Sequence, residues 1–185
     1  VAPGDPTLPD GVNATIFDMC NPIAPPATDL KNKGVAAITL EDSRWKNCHI
    51  KAISLLPNIL LRQQAIDAGA VEAILIRDDE ATEGAASNVF IVKDNVLITP
   101  PKGPFLLPGI TRDLVLELAE KNSVLNEERI IKASELHDAD EIWLTSSTKE
   151  ILPVTQLDGK PVGNGKPGPQ WLKMFALFQD YKSKV

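Results

Sequence analysis

The sequence predicts a mixed α+β (α/β) fold, and three observations carry that expectation. Short β-branched-rich runs alternate with longer runs of helical periodicity along most of the chain. Turn signals at Lys93-Asp94-Asn95 and Asp158-Gly159 join neighbouring strand-like runs into hairpins, which argues against a purely doubly wound parallel sheet. Apolar residues make up 43% of the 185, enough for a packed core.

Residues 1–11 are rich in Pro and Gly and predict irregular chain, and Val12–Met19 (VNATIFDM) reads as a strand. Asn21-Pro-Ile-Ala-Pro-Pro reads as a linker, because proline fixes φ and removes a donor, so the main domain starts near Lys33. Val35–Leu40 (VAAITL) is a strand. The run LLPNILLRQQAIDAG after Ser54 is a helix, with Pro57 at an early position and Gly69 at its C-terminal cap. Glu72–Arg77 is a further strand, and Asn88–Val92 with Val96–Thr99 form a hairpin. Thr111–Asn122 is an amphipathic helix with Leu114, Leu116 and Leu118 among its apolar positions and Thr111 as N-cap. Ser134–Asp138 reads as a short helix, and Ile142–Thr145 as a strand entering the polar loop SSTKE. Ile151–Val154 and Lys160–Val162 flank Asp158-Gly159, and Gln170–Tyr181 has helical spacing.

Composition excludes some classes of function. The net charge is −6, with both signs mixed along the chain, so there is no basic stripe for a nucleic acid. One helix end with a few donors can still hold a phosphate. No apolar run approaches the ~20 residues that span a bilayer. Cys20 and Cys48 form no CxxC pair, which points to a reducing, cytoplasmic setting with free thiols. His49 and His137 have no neighbours at ligand spacing, so no metal site is predicted. The start, VAPGDPTLPDG, lacks the basic and apolar segments of a signal peptide, and no Met precedes it. That predicts a chain beginning inside a longer parent.

Four segments carry chemistry. Lys51, in CHIKAISLL, sits among apolar residues, and desolvation lowers the pKa of a lysine so placed, giving the neutral amine that a Schiff-base nucleophile needs. By itself it reads more readily as a surface lysine at a strand end. Glu83, in TEGAASNVF, is followed by small residues that let backbone approach a flat ligand, and a carboxylate facing a pyridine nitrogen keeps it protonated. A plain turn with a solvated Glu83 is the alternative. In LLPGITRDLVLEL a Pro-Gly turn enters a helix, whose first amides at Ile110 and Thr111, with the Thr111 hydroxyl, can receive a phosphate. An ordinary capped helix is the alternative there. Thr145–Thr148 supplies four hydroxyl residues in a row, with Ser147 a candidate phosphate donor, or simply a polar loop.

Taken in order, RW…CHIK, TEGAASN, LPGITRD, LTSSTKEILPV and LDGK resemble the class IV aminotransferases, most closely the D-amino-acid transaminase group, from about Leu40 almost to the C-terminus. The resemblance implies the large C-terminal domain of the fold-type IV enzymes, a β-barrel-like sheet flanked by helices. It implies pyridoxal 5′-phosphate as cofactor, with Lys51 as Schiff-base lysine and proton shuttle. It further implies Glu83 on the pyridine nitrogen, Leu107 packed on the ring, and Ile110, Thr111 and Ser147 on the phosphate. Arg44, seven residues before Lys51, matches a recurrent arginine near the site. The implied partners are an amino acid, a 2-oxo acid and a second subunit in a homodimer. The chain would then divide into a remnant of an N-terminal small domain (1–25), an interdomain linker (26–32) and a cofactor-binding domain (33–185).

Two departures stand beside the resemblance. Family members carry roughly a hundred more N-terminal residues, which supply a phosphate arginine and a tyrosine near the substrate. The D-amino-acid enzymes also have Pro-Arg-x-His in the segment where this chain reads Pro3-Gly4-Asp5-Pro6, so both carboxylate-binding cations are missing and Asp5 repels a carboxylate. Relatives without that trap include branched-chain and (R)-amine transaminases and the aminodeoxychorismate lyase. A catalytically silent fragment is the remaining alternative.

Overall fold

A parallel crossover unit opens the main body of the computed structural model, which describes residues 11, 13, 15–22 and 33–184. Strand β1 (Val35–Glu41) passes through helix α1 (Leu56–Asp67) into β2 (Glu72–Arg77), and the two strands pair in parallel. Helix α1 has Pro57 in its first turn, and Gly69 follows its C-cap at φ +78°, where a residue without Cβ is unstrained. It seats Leu61 and Ala65, one turn apart, against Ala73 and Leu75 of β2.

The chain continues as β3 (Glu80–Gly84), β4 (Asn88–Lys93), β5 (Val96–Thr99), α2 (Ile110–Lys121) and β6 (Asn126–Glu128). It ends with α3 (Ala133–His137), β7 (Glu141–Ser146), β8 (Glu150–Leu157), β9 (Lys160–Pro161) and α4 (Pro169–Lys182). Eight strands run side by side in the order β3-β2-β1-β8-β7-β4-β5-β6, and β9 pairs with β8. Parallel pairs (β1–β2, β1–β8, β5–β6) mix with antiparallel ones, as the predicted mixed class requires.

This order forces the sheet to curl. Strands β3 and β4 stand five interstrand gaps apart, which is about 24 Å in a flat sheet. Only Ala85, Ala86 and Ser87 join them, and four Cα steps span at most about 14 Å. The two strands therefore meet across a concave face, giving a half-barrel. The interior collects Val35, Ile74, Ala81, Val89, Ile142 and Leu152 from six strands into one cluster. Alternate residues of the same strands, Phe90, Val92, Trp143 and Ile151, face outward under α2 and α4, where Val115, Trp171 and Met174 cover them. The carboxylate of Glu141 begins α4 by accepting the Gln170 and Trp171 amides at 2.9 and 2.8 Å.

Several expectations are corrected. No strand forms over the described part of Val12–Met19, where Ile16 and Phe17 are more than four-fifths exposed and no described strand pairs with them. Strands β3 and β6 were not foreseen. Helix α2 starts at Ile110, and its N-cap is Gly109 with extended backbone, so Thr111 lies inside the first turn. Pro3–Pro6 and the linker 26–32 lie outside the described residues, as does most of the span 1–25.

Candidate active site

A cleft of about 710 Å³ opens beside the curled sheet. Its walls come from the loop after β1, the start of α1, the end of β3, the start of α2 and the turn after β7. Arg44, Lys51, Glu83, Leu107, Ile110, Thr111 and Ser147, spread over more than a hundred residues of sequence, all line it.

Glu83 is the best-held group. It points from β3 and is 4% exposed. Its Oε1 accepts Arg44 Nη1 at 2.5 Å, and its Oε2 accepts Asn88 Nδ2 at 3.1 Å and the Leu107 amide at 3.0 Å. Arg44 is itself buried and forks onto Asp42 through Nε at 2.9 Å and Nη2 at 3.0 Å. One guanidinium thus serves two buried carboxylates. Burial pushes the Glu83 carboxyl up to about 7, against the pull of Arg44 and the Leu107 N–H. Burial also lifts Asp42, but Arg44 and Arg77 outweigh it and hold that carboxyl below the usual range. The arginine anticipated near the cleft is therefore a carboxylate holder, with its donors spent on Asp42, Glu83 and the Phe105 carbonyl.

The setting of Lys51 differs from the sequence reading. Residues 48–55 form turns and loop rather than a strand, anchored by the Cys48 amide on the Pro104 carbonyl at 2.7 Å. Lys51 is exposed at the cleft, and its apolar neighbours Ile50 and Ile53 face outward, 51% and 97% exposed. Sequence neighbours that diverge along an irregular loop do not bury the amine between them.

The start of α2, Gly109 to Thr111, forms another part of the lining, and a helix start leaves its first amides without intrahelical acceptors. The helix seats tightly there, since a Cβ added at Gly109 would collide with Asn88 Oδ1. Beside it runs Thr145–Thr148. Ser147 and Thr148 are exposed to the cleft, whereas Thr145 is buried and its Oγ1 has no hydrogen-bond partner. A buried hydroxyl without a partner is costly.

Sequence reading gave no role to Asn88 or Asp42, and took Thr145 only as one member of the hydroxyl run. Asn88 stands in the quoted TEGAASN segment and Thr145 in the hydroxyl run. Asp42 carried no signal, because its partners are defined by folding alone.

The family model described as amino-transferase class IV matches residues 2–157. The D-alanine aminotransferase of Bacillus licheniformis is 48% identical over 148 residues, 80% of this chain and 52% of that protein. Among solved structures, the Escherichia coli branched-chain amino acid aminotransferase is 31% identical with a TM-score of 0.73, over 81% of this chain and 52% of its own. A T.th. branched-chain amino acid aminotransferase with pyridoxamine 5′-phosphate is 28% identical with a TM-score of 0.75, over 83% of this chain and 52% of its own. The chain spans about half the length of the curated relatives it matches. The family match runs through every cleft segment from Arg44 to Ser147, and this chain belongs to the class IV aminotransferases.

Proposed function

We propose that this chain is the cofactor-holding portion of a pyridoxal 5′-phosphate-dependent transaminase, which moves an amino group from a D-amino-acid-like donor to a 2-oxo acid. The carrying observation is that one cleft collects a lysine amine, a buried carboxylate and a helix start beside a hydroxyl run. These are the three groups that a carbonyl, a pyridine nitrogen and a phosphate call for. The unpartnered Thr145 hydroxyl adds to the fit. When bound, the cofactor supplies an electron sink and a carbonyl that takes up the amine.

The chain's own residues divide the remaining work. Lys51 Nζ is the nucleophile, and it carries the proton to and from the substrate α-carbon. Glu83 holds the proton of the pyridine nitrogen, and Arg44, Asn88 and the Leu107 amide orient it. The Leu107 side chain offers the ring an apolar face. The Ile110 and Thr111 amides and the Thr111 and Ser147 hydroxyls bind phosphate oxygens.

A D-amino-acid-like donor is supported by the 48% identity to a D-alanine aminotransferase. Trp45, Ile50, Ile53, Leu56, Ile59 and Leu60 are exposed together at the cleft mouth and the adjoining face of α1. Single exposed apolar residues are ordinary, but a group this size is an interface, and a second subunit of a homodimer is the proposed cover. No helix among the described residues is long and apolar enough to cross a membrane, and the free Cys20 and Cys48 accord with a cytoplasmic setting.

The test is a visible absorbance titration with pyridoxal phosphate, run beside Lys51→Ala, followed by product analysis with and without a 2-oxo acid. The expected result is a visible band that the variant lacks, and turnover only with the acceptor. Turnover without an acceptor would instead identify a lyase.

A further inference from the structure

Behind the hydroxyl run lies a carboxylate that the proposed function does not use. Glu72, the first residue of β2, is fully buried. Its Oε1 accepts the neighbouring Ala73 amide at 3.2 Å. Its Oε2 accepts the Ser87 hydroxyl at 3.1 Å and lies 4.0 Å from Lys149 Nζ. A buried carboxylate persists only when paired, so these contacts hold its partners as firmly as they hold Glu72.

Ser87 belongs to a cleft wall, and Lys149 directly follows one. Ser87 lines the cleft on the segment joining β3 to β4, and Lys149 closes the turn whose Ser146, Ser147 and Thr148 also line it. The turn is drawn together from within, since the Lys149 amide donates to Ser146 Oγ at 3.2 Å. The approach of Glu72 to Ser87 is built into the backbone, because a Cβ added at Gly84 would collide with Ser87 Oγ and press on Glu72 Cγ at 3.3 Å. Burial, with Arg62 nearby, lowers the Lys149 amine, and the Glu72 carboxylate opposes that shift. The Ser87 proton is committed to Glu72, so Ser87 offers the cleft lone pairs only. The turn after β7 and the α2 start do offer donors for an anion, and their separation depends on where that turn is held.

We propose that Glu72 is a positioning residue for the phosphate end of the cleft, clamping the Ala85–Ser87 segment to the Ser146–Lys149 turn through Ser87 and Lys149. This rests on the cofactor reading above. The probes are pyridoxal phosphate and pyridoxal, which lacks the phosphate, titrated by absorbance against the full chain, Glu72→Gln and Lys149→Met. Lys149 is partly exposed, so its variant folds even if the Glu72 variant does not.

The expected result is a loss of about tenfold in affinity for pyridoxal phosphate in each variant, with pyridoxal affinity unchanged, because one anchoring contact is removed. Amide exchange at Thr148 and Lys149 should also quicken in the ligand-free variants. Equal losses for both probes would overturn the clamp, because a merely structural role weakens both. A gain in pyridoxal phosphate affinity for Glu72→Gln would also overturn it, showing that Glu72 acts only by repelling the phosphate. If the unaltered chain binds neither probe, the proposed function fails first; if it binds and the variants keep its ratio of affinities, only the clamp fails.

Discussion

Arg44 Nη1 meets Glu83 Oε1 at 2.5 Å while the rest of the same guanidinium grips Asp42. The contact joins residues 39 apart, ties the loop after β1 to the end of β3, and fixes the carboxylate proposed to face the pyridine nitrogen. Removing a partner from a buried ion pair leaves a charge without compensation. Arg44→Met should therefore cost about 3–5 kcal/mol of stability, read as a lower urea midpoint. Arg44→Lys should recover only part of this, because an ammonium cannot reproduce the fork. A loss below about 1 kcal/mol for Arg44→Met would mean that solvent reaches both carboxylates.

The same pair sets a pH dependence. Folding raises the Glu83 carboxyl from 4.5 to about 7, so the protonated form is favoured in the folded chain. Its stabilisation is complete below about 4.5 and fades as pH rises through about 7. Asp42, held low, acts in the opposite sense and only in acid, where stability is lost as pH falls. The ligand-free chain should thus lose about 1–3 kcal/mol, relative to Glu83→Gln, between roughly pH 4.5 and 7.5. Urea unfolding of both proteins across that window measures the difference, and parallel curves would refute the shift.

Gly109 offers a steric test of the α2 seat. A Cβ there strikes Asn88 Oδ1, and Asn88 also holds Glu83 Oε2 and the Leu107 carbonyl. Gly109→Ala should cost about 1–3 kcal/mol through overpacking. It should also weaken pyridoxal phosphate binding, since the helix start and Glu83 move together. Thermal unfolding and an absorbance titration give the two numbers, and unchanged affinity would uncouple the helix start from the carboxylate.

The apolar cleft mouth yields a prediction about assembly. A charge placed on that surface, as in Ile53→Asp with Leu60→Asp, should halve the mass seen by sedimentation while the far-UV spectrum stays unchanged. Unaltered chain that sediments as a monomer would remove the homodimer from the account.

How much of this was legible in the sequence depended on how local each signal is. The β4–β5 hairpin could be read because Asp94 and Asn95 tolerate the positive φ of 50° and 64° that its turn needs. The β2–β3 hairpin uses the same geometry at Asp78 and Asp79, φ 51° and 64°, but a pair of aspartates without glycine is a weak turn signal, and β3 was missed. Strand β6 is three polar residues with no alternation to detect. The cleft residues were legible as segments, through the resemblance, and the fold brings those segments around one space. The Arg44–Glu83 contact, the outward turn of Ile50 and Ile53, and the burial of Glu72 were not legible. Each depends on pairing between distant segments, which no spacing in the chain encodes.

Lys51 is proposed as the residue that takes the cofactor, and borohydride trapping tests that assignment. The chain is mixed with pyridoxal phosphate, reduced with borohydride, digested and mapped by mass. The expected result is a single pyridoxyl group on the peptide holding Lys51, and none on that peptide in Lys51→Ala. Label spread over several surface lysines, or absent from the Lys51 peptide, would contradict it.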